Sequence, residues 1–335
     1  MGIPGALVQL ARDFQEAGVR LYGVGGMVRN PRLGLPISDM DITSALRPER
    51  VLALCQGKGY GVVKKGLAFG MVEIHLGGYA FEHTTFRADT YGPGGGHRPT
   101  AIAFSDTVEA DAFRRDFTVN ALYQDLLTGA VLDPTGGLKD LAAKRLRATS
   151  PDPAVILRDD ALRVLRLARF CGELGFEPEP GTFGAAQRFV GGLKDISRER
   201  VRDELQKILL ADGKYGNQAG VYQGLHLLDR LGALEVILPA LAAGRGLGQR
   251  QEYHAYDVLE HGLQTAAQAE LAGGLELRLG ALLHDVGKPA AFQATGRMLH
   301  HDQMGADIAR EMVTGLRFSN QVQEEVSWLV AHHMF

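Results

Sequence analysis

Residues 21–29 read LYGVGGMVR, an apolar run that leads into a pair of glycines. Residues 19–24 predict a strand, and the glycines predict a turn into a short helix that is broken by Pro31 and Gly34. At this turn Gly25 and Gly26 would let a phosphate approach the backbone, where a helix N-terminus offers free N–H groups. Arg29 could add a bidentate contact to the same phosphate. A glycine pair alone indicates only a tight turn, so this interpretation depends on the residues that follow.

Two aspartates come ten residues later, at a second predicted strand over residues 40–43. Because side chains alternate along a strand, Asp39 and Asp41 are expected on one face. Two carboxylates so placed repel each other unless a cation lies between them, and oxygen ligands suit Mg²⁺. In two-metal chemistry one ion lowers the pKa of an attacking hydroxyl and the other holds the triphosphate. Solvated aspartates are the alternative, which the preceding glycine turn and arginine make less favoured.

A third carboxylate would complete such a magnesium site, and a neighbouring strand could provide it. Strand-like segments follow at residues 60–64, 71–76 and 80–86. Glu82 in the last of these segments is the candidate, and Glu73 is the alternative. The predicted catalytic residues are therefore Asp39, Asp41 and Glu82.

The character of the chain changes towards its C-terminal half. Apolar spacing predicts helices at residues 7–14 and 50–55, and the glycines of residues 89–99 predict a flexible loop. After about Val108 the strand signals nearly vanish, and helical patterns dominate from Arg158 onward. The expected fold class is α+β, with a mixed sheet and its helices first and an all-α remainder after it.

Composition narrows the possible functions. The 335 residues are 45% hydrophobic and 22% charged, as in an ordinary globular protein with room for two or three modules. The net charge of −3 argues against nonspecific coating of nucleic acid. No apolar run is long enough for a membrane span, and residues 1–18 lack the layout of a signal peptide. Cys55 and Cys171 form no metal or disulfide pattern, so we expect a cytoplasmic protein.

The positive charges are unevenly distributed along the chain. A local basic surface can bind RNA even when the net charge is negative. A solvated helical face is the alternative explanation, especially for the second of two groups. The first group comprises Lys144, Arg145, Arg147, Arg158, Arg163, Arg166 and Arg169, and the second comprises Arg188, Lys194, Arg198, Arg200, Arg202 and Lys207.

Three segments resemble, in order, the motifs of one family. GGMVR with the later DMD resembles the first motif of the class II tRNA nucleotidyltransferase and bacterial poly(A) polymerase superfamily. RRDFTVNAL, residues 114–122, resembles its second motif, and DDALRVLRLARF, residues 159–170, resembles the nucleotide-recognising segment of the CCA-adding enzymes. The resemblance implies phosphate binding by Gly26 and Arg29 and magnesium binding by Asp39 and Asp41. It also implies that the incoming nucleotide contacts Arg115, Asp160, Arg163, Arg166 and Arg169.

Asp160 and Arg163 offer a physical way to choose C and A. Three residues apart in a helical segment, they would share a face. Cytosine and adenine both present an amino donor beside a ring-nitrogen acceptor, which matches an accepting carboxylate beside a donating guanidinium. Uracil and guanine reverse both contacts, at a cost of a few kcal/mol. An ordinary salt bridge between the two side chains is the alternative.

The sequence departs from the family pattern at two positions. Asn30 stands where the first motif usually carries aspartate, which keeps hydrogen bonding but loses a charge. Asp159 replaces a usual glutamate with a shorter side chain of the same charge. In the family, CC-adding enzymes look shortened at the loop corresponding to residues 89–99, so its full length here favours A addition.

Histidines cluster near the end of the chain. Imidazoles and a carboxylate from separate helices suit a transition metal or a binuclear site. The segment from Tyr253 resembles the HD phosphohydrolase domain of some bacterial CCA-adding enzymes, which implies four tentative ligands: His261, His284, Asp285 and His301. The later aspartate of the usual pattern is missing, and His332 or His333 could replace it. Ni²⁺ or Mn²⁺ would be the metal in such a site.

These observations predict three modules: a head over residues 1–145, a helical neck and body over 146–248, and an HD-like domain over 249–335. The predicted function is Mg²⁺-dependent addition of C and A from CTP and ATP to the 3′ end of tRNA. Addition of A only or of CC only, and poly(A) synthesis, are alternatives within the superfamily. An HD phosphohydrolase with a nucleotide- or tRNA-binding head and a non-catalytic RNA-binding protein are alternatives outside it.

Overall fold

The computed structural model describes residues 3–92, 101–248 and 256–334. The chain forms two compact units, Met1–Asp159 and Asp160–Phe335. The first unit combines helices with a mixed sheet, and the second is almost entirely helical. The predicted α+β class is thereby confirmed. Among the described residues, no helix is both long and apolar enough to cross a membrane.

The first unit is organised around a seven-stranded sheet of order β3-β4-β5-β2-β1-β8-β9. Strands β2 and β5 run parallel, whereas the other neighbouring pairs run antiparallel. A separate antiparallel pair joins β6 to β7. The strands of this unit are β1 (Tyr22–Val24), β2 (Asp41–Ser44), β3 (Gly61–Gly66), β4 (Met71–Leu76), β5 (Tyr79–Thr85), β6 (Arg87–Thr90), β7 (Ala101–Phe104), β8 (Tyr123–Asp125), β9 (Val131–Leu132) and β10 (Arg145–Leu146).

Helices cover this sheet with apolar faces. Leu7, Leu10 and Phe14 of the first helix are fully buried in one core with Ile74 and Phe81 of the sheet. Burial of such side chains is the main stabilising contribution, about 1.5–3 kcal/mol for each large one. The helices are α1 (Gly5–Glu16), α2 (Gly26–Arg32), α3 (Pro48–Gly57), α4 (Val108–Phe113), α5 (Gly137–Ala142) and α6 (Pro153–Asp159), with 3₁₀ turns at Leu67–Phe69 and Thr118–Asn120.

The second unit packs helices against one another. Its members are α7 (Leu162–Leu174), α8 (Pro180–Phe189), α9 (Arg198–Leu209), α10 (Ala211–Tyr215), α11 (Gly220–Arg230), α12 (Ala233–Ile237), α13 (Pro239–Ala242), α14 (Val258–Gln268), α15 (Gly274–Leu283), α16 (Lys288–Thr295), α17 (His301–Gly315) and α18 (Asn320–His332). It also contains the short strand β11 (Glu177–Pro178) and 3₁₀ turns at Val190–Asp195 and Leu271–Gly273.

One buried arginine connects two helices of the second unit, α15 and α10. Arg278 of α15 is 1% exposed, and its guanidinium donates to both carboxylate oxygens of Asp212 in α10 at 2.6 Å. It also donates to the backbone carbonyl oxygens of Leu209 at 2.6 Å and Ala269 at 3.1 Å. These contacts satisfy the donors of a group that would be costly to bury alone.

The structure corrects three expectations. Strands do not end near Val108, because β8 and β9 complete the sheet beside β1. Residues 89 and 90 of the predicted loop belong to β6, and residues 93–99 of that loop lie outside the described residues. Pro31 does not end α2, which runs on to Arg32. Short strands with mixed composition carry too weak an alternation pattern to be recognised from sequence.

Candidate functional site

The glycine turn connects β1 to α2 and lies against a carboxylate. Gly25 has φ 64° and ψ −131°, a conformation that other residues adopt only with strain. A Cβ atom at Gly25 would lie 3.5 Å from Oδ2 of Asp41. The turn therefore places backbone without a side chain next to Asp41, the predicted magnesium ligand. A triphosphate needs such a close approach to the backbone.

Arg29 is held in place by two asparagines. Its Nε and Nη2 donate to Oδ1 of Asn30 at 3.1 and 2.9 Å, and its Nη1 donates to Oδ1 of Asn120. Asn30 in turn donates to the carbonyl oxygen of Pro36 at 2.8 Å, and Asn120 donates to Asp116 at 3.1 Å. Asn30 is fully buried, so the residue that departs from the family pattern still orients the arginine. Sequence reasoning did not identify Asn120, although it lies within the second motif.

The predicted magnesium ligands lie close together. Asp41 opens β2 and is the register partner of Glu82 in the parallel strand β5. Burial, Glu82 and Asp39, in that order, raise the pKa of Asp41 to about 6, against the opposing effect of Arg115 and Arg29. Asp39 precedes the strand rather than lying in it, and it accepts a hydrogen bond from Ser38 at 2.8 Å. Glu82 and Asp39 thus disfavour the charged form of Asp41, which a bound divalent cation would favour.

The geometry distinguishes the two candidates for the third carboxylate. Glu82 lies beside Asp41, and Nζ of Lys65 is 3.9 Å from its carboxylate. Glu73 is one strand further away, where it pairs with Lys65 and lies 2.9 Å from Nε2 of His75. The structure thus places Glu82, rather than Glu73, next to Asp41.

The predicted nucleotide contact Arg115 belongs to a buried network around Asp111. Its Nη2 lies 2.9 Å from Oδ2 of Asp111, and its Nε lies 2.9 Å from the hydroxyl of Tyr123. Arg114 donates to the other oxygen of the same carboxylate at 2.6 Å. Burial opposes ionisation of Asp111, but Arg115 and Arg114 outweigh it and lower the pKa of Asp111 to about 2. Asp111 therefore anchors Arg115 as a permanent anion.

Replacing Asp111 by asparagine is expected to lower the free energy of unfolding by about 3 kcal/mol at neutral pH, because two guanidinium groups lose this counter-charge. The folded-state pKa of Asp111 lies below its ordinary value of 3.8. Its contribution is therefore complete above about pH 4 and is lost as the pH falls towards 2. Calorimetric melting of both proteins from pH 8 to pH 3 would measure the difference.

Asp106→Asn is the matched control for this measurement. Asp106 is an exposed carboxylate that pairs with Arg47 at 3.0 Å, and such pairs contribute little. Equal melting temperatures for Asp111→Asn and Asp106→Asn would contradict the role assigned to Asp111.

Asp160 and Arg163 open the second unit. Asp160 precedes α7 instead of lying within it, and its Oδ1 accepts a hydrogen bond from the backbone N–H of Leu162 at 3.0 Å. Its Oδ2 accepts from Nη2 of Arg200 at 2.8 Å. Arg163 is 8% exposed and lies in the first turn of α7. Asp160 and Arg163 therefore lie on either side of the start of a helix rather than within one, and the contact of Asp160 with Arg200 was not evident from the sequence.

The two later arginines of α7 share one aromatic neighbour. The guanidinium carbons of Arg166 and Arg169 lie 5.2 and 4.2 Å from the ring centroid of Phe170. Nε of Arg169 lies 3.0 Å from Oε2 of Glu204 in α9, and both side chains are buried. Arg169 thus has a buried ion pair within the helical unit, whereas Arg166 is only half-buried.

The predicted HD-type ligands surround one carboxylate. Nε2 of His284 lies 3.1 Å from Oδ2 of Asp285, and Nε2 of His301 lies 3.2 Å from Oδ1. Nε2 of His261 is 3.7 Å from Oδ2. Burial opposes ionisation, but His284, His301 and Lys288 keep the pKa of Asp285 well below its usual range. All four predicted residues are therefore brought together.

The structure also answers which of the last two histidines joins this cluster. Nε2 of His333 lies 3.6 Å from Oδ1 of Asp285 and 3.2 Å from Nε2 of His301. His332 stacks its ring on Trp328 at 4.6 Å between centroids. His333 therefore takes the place that the sequence left open between the two.

Hydrogen bonds orient the imidazoles as metal ligands. Nδ1 of His284, His301 and His333 lies 2.7–2.8 Å from backbone carbonyl oxygens one turn earlier. A neutral imidazole that donates from Nδ1 carries its lone pair on Nε2, the atom that faces Asp285 here. Burial lowers the pKa of His333, which favours that neutral form. The donor set fits a transition metal.

A cavity of about 570 Å³ opens onto these ligands. Its lining combines the histidines and Asp285 with four apolar residues: Leu277, Trp328, Leu329 and Met334. A concave site with convergent polar groups beside apolar walls is typical of small-molecule binding.

Family comparisons cover most of the chain. The poly A polymerase head domain matches residues 21–147, and the HD domain matches residues 258–335. Between them, residues 175–244 match a family described as a probable RNA and SrmB-binding site of polymerase A.

Individual proteins resemble the chain over longer stretches. The "Multifunctional CCA protein" of Neisseria gonorrhoeae is 33% identical over 323 residues, which cover 94% of this chain and 74% of that protein. The "A-adding tRNA nucleotidyltransferase" of Deinococcus radiodurans is 37% identical over 247 residues, 70% of this chain and 54% of that protein. The crystal structure of the Bacillus stearothermophilus CCA-adding enzyme in complex with CTP aligns with a TM-score of 0.60 and 26% identity, over 97% of this chain and 82% of that one.

The chain is shorter than many of these relatives. It spans 50–61% of the length of four curated relatives named as CCA-adding or A-adding enzymes. The family matches at residues 21–147 and 258–335 include the glycine turn, the carboxylates and the histidine cluster described above.

Proposed function

We propose that this protein adds C and A nucleotides to the 3′ end of tRNA. The chain belongs to the class II tRNA nucleotidyltransferase and poly(A) polymerase superfamily and carries a C-terminal HD domain. CTP and ATP are the donors, and pyrophosphate leaves. The observation that carries the proposal is the position of Asp41, which lies beside the glycine turn and opposite Glu82 and whose pKa is raised by Glu82 and Asp39.

Each residue of the head then has a defined task. Mg²⁺ held by Asp39 and Asp41, with Glu82 as the third carboxylate, would lower the pKa of the RNA hydroxyl and neutralise the leaving pyrophosphate. Gly25 and Gly26 let the triphosphate approach the backbone without a side chain in the way. Arg29, oriented by Asn30, would donate to the phosphates. Arg115, oriented by Asp111, would add a second positive charge.

Selection of the base is assigned to the start of α7. Arg200 and the N–H of Leu162 orient the Asp160 carboxylate, which would accept an amino hydrogen of the base. Arg163 would donate to the ring nitrogen of cytosine or adenine. Arg166 and Arg169 would complete the nucleotide site. This arrangement accepts C and A and rejects the reversed edges of U and G.

The three modules follow the same reasoning. We infer a nucleotidyltransferase head over residues 1–145, a neck and body for nucleotide selection and tRNA binding over 146–248, and an HD-like domain over 249–335. The family matches at residues 21–147, 175–244 and 258–335 support this division. We further infer a cytoplasmic location, where tRNA and both nucleotides occur; Cys55 and Cys171 are buried free thiols, as expected there.

Incorporation assays test this function directly. Purified protein with Mg²⁺ would receive tRNA ending at the discriminator base N, at NC or at NCC, with CTP, ATP or both. C and A addition predicts growth to CCA on all three substrates. Growth only of the NCC substrate with ATP would identify an A-adding enzyme, and arrest after two C residues a CC-adding one. Repeated A addition would identify a poly(A) polymerase, and no incorporation from either nucleotide would refute the proposal.

A second function is favoured by the histidine cluster in its cavity. We propose that His261, His284, Asp285 and His301 bind Ni²⁺ or Mn²⁺ and that the site hydrolyses phosphate esters. The bound metal would polarise the phosphoryl oxygen and activate water. The Nδ1 hydrogen bonds to the backbone and the open cavity support this role. This activity would accompany nucleotide addition rather than replace it, since the head retains its carboxylates.

Hydrolysis of cyclic or terminal nucleotide phosphates with Ni²⁺ or Mn²⁺ is the expected result for the intact protein. His284→Ala is expected to lower that rate by roughly an order of magnitude or more, because the metal loses a ligand. Phosphate release would be measured for both proteins beside nucleotide incorporation. His226→Ala is the control, because His226 stacks on Tyr222 and lies outside the cluster. Equal hydrolysis in the two variants would argue against the metal site.

A further inference from the structure

One face of the large sheet carries a row of carboxylates. Side chains alternate along β4, where Val72 and Ile74 are fully buried on one face and Glu73 is directed to the other. Glu73 is the register partner of Glu82 in β5, and Glu82 is the partner of Asp41 in β2. Register partners on neighbouring strands share a face of the sheet. The three carboxylates therefore lie in one line that crosses three strands.

The same face continues onto the edge strand β3 and is open to solvent there. Val63 of β3 is the register partner of Glu73, and this apolar side chain is 46% exposed. Lys65 of β3 pairs with Glu73, and its Nζ lies 3.9 Å from Oε2 of Glu82. The side chains of Lys65 and Glu82 are 42% and 41% exposed. An accessible ammonium thus lies at the outer end of the carboxylate row.

The geometry of the transfer reaction determines which substrate would approach over this face. The glycine turn at the end of β1 is the proposed site of the triphosphate, and Asp41 lies beside it. In phosphoryl transfer the attacking and the leaving oxygen lie roughly in line, on opposite sides of the phosphorus. The strands follow one another in the order β1, β2, β5, β4 and β3. With pyrophosphate leaving on the side of β1, the attacking hydroxyl comes from the side of β5, and the RNA behind it lies over β4 and β3.

The charge of the RNA explains why an ammonium is needed there. The nucleotide that carries the attacking hydroxyl also carries a phosphodiester, which Asp41, Glu82 and Glu73 would repel. A lysine has three donor hydrogens, so Lys65 can bind a phosphate oxygen while it stays near Glu73. A magnesium ion on Glu82 would repel Lys65 from that carboxylate and leave the ammonium available to the phosphate.

We propose that the open face of β5, β4 and β3 receives the 3′ end of the RNA and that Lys65 binds its last phosphodiester. The proposal rests on the nucleotide-adding function proposed above and names the RNA side of that site. Glu82 would then lie between the two substrates, with the triphosphate towards β1 and the RNA backbone towards β3. Lys65 contacts the substrate in this arrangement but takes no part in proton transfer.

A binding measurement tests the contact without relying on catalysis. A labelled tRNA ending in NC would carry a 3′-deoxy terminus, so that no nucleotide is added. Its last linkage would be either the natural phosphodiester or an uncharged methylphosphonate. Fluorescence anisotropy with Mg²⁺ and CTP present would give the Kd. The intact protein is expected to bind the methylphosphonate RNA about fivefold more weakly, the size typical of an exposed ion pair.

Lys65→Met is expected to bind the natural RNA about fivefold more weakly than the intact protein does, because the same ion pair is lost. It should lose no further affinity when the last linkage is uncharged, since the two changes remove one interaction. Lys65→Arg keeps the positive charge and should retain the fivefold dependence. An undiminished methylphosphonate effect in Lys65→Met would overturn the proposal.

Lys64→Met is the matched control. Lys64 is the exposed neighbour of Lys65 on β3 and makes no ion pair with any residue that the structure describes. This variant should distinguish the two RNAs as the intact protein does. If Lys64→Met and Lys65→Met weakened binding equally, the effect would come from general surface charge, and the specific contact would be refuted.

Kinetics separate the RNA from the nucleotide. Lys65→Met should raise KM for tRNA in the incorporation assay and leave KM for CTP unchanged. A higher KM for CTP alone would assign Lys65 to the triphosphate and overturn the proposal. If the intact protein incorporated no nucleotide, the proposed function would fall, whereas the binding comparison would still decide whether Lys65 contacts the RNA phosphate.

Discussion

Asp41→Asn is expected to lower the rate of nucleotide incorporation by about 1,000-fold, because the loss of a magnesium ligand removes several kcal/mol of transition-state stabilisation. Asp41 is the carboxylate that lies beside the glycine turn, with its Oδ2 towards Gly25. Glu82 and Asp39 both raise the pKa of Asp41. Asparagine has the same size, so the fold should survive. Single-turnover incorporation of CTP into tRNA would give the rate, and circular dichroism would monitor the fold.

Glu73 and Glu82, which face each other on neighbouring strands, provide a matched pair of variants for this experiment. Glu82 and Glu73 are partners across β5 and β4, but only Glu82 is the partner of Asp41. Glu82→Gln should therefore slow incorporation strongly, whereas Glu73→Gln should leave it nearly unchanged. The reverse order would transfer the third carboxylate to Glu73. More than a tenth of the normal rate in Asp41→Asn would contradict the metal site itself.

Asp160→Ala is expected to reduce the preference for CTP over UTP by about 100-fold, because the carboxylate that accepts the amino hydrogen disappears. Incorporation of CTP itself should also slow, since its amino group loses a partner. Arg200→Ala is expected to give a smaller loss in the same direction, because Arg200 only positions the carboxylate. The measurement is kcat/KM for each of the four nucleoside triphosphates on the same tRNA.

Asp203→Ala is a suitable comparison for Asp160→Ala. Asp203 is a half-exposed carboxylate on α9 that forms an ion pair with its neighbour Arg202 at 2.8 Å. Its removal should leave the nucleotide preference unchanged. A CTP to UTP ratio that stays the same in Asp160→Ala would show that base selection lies elsewhere.

Local patterns were sufficient to predict much of the head. Strong alternation identified β4 and β5, and the glycine pair marked the turn into α2, because these signals depend on neighbouring residues only. The aspartates proposed as magnesium ligands could likewise be singled out from the sequence, since their spacing and order are local. The histidine ligands could be proposed as a set because their residue types are rare together.

Long-range contacts account for what the sequence did not reveal. Asn120 bonds to Arg29 across 91 residues, and Arg200 bonds to Asp160 across 40 residues. Neither contact has a local signature, because an asparagine or a surface arginine has many possible partners. The choice of His333 over His332 depended in the same way on which face of α18 is directed towards Asp285.

The buried arginine of α15 has a consequence for protein engineering. A version cut after residue 248 would leave the Asp212 carboxylate and the Leu209 carbonyl oxygen without the guanidinium that now satisfies them. An isolated fragment of residues 1–248 would thus expose to water a carboxylate and a carbonyl oxygen that Arg278 now covers. Anyone who trims this protein should replace Asp212 by a neutral residue, or retain the helix that carries Arg278.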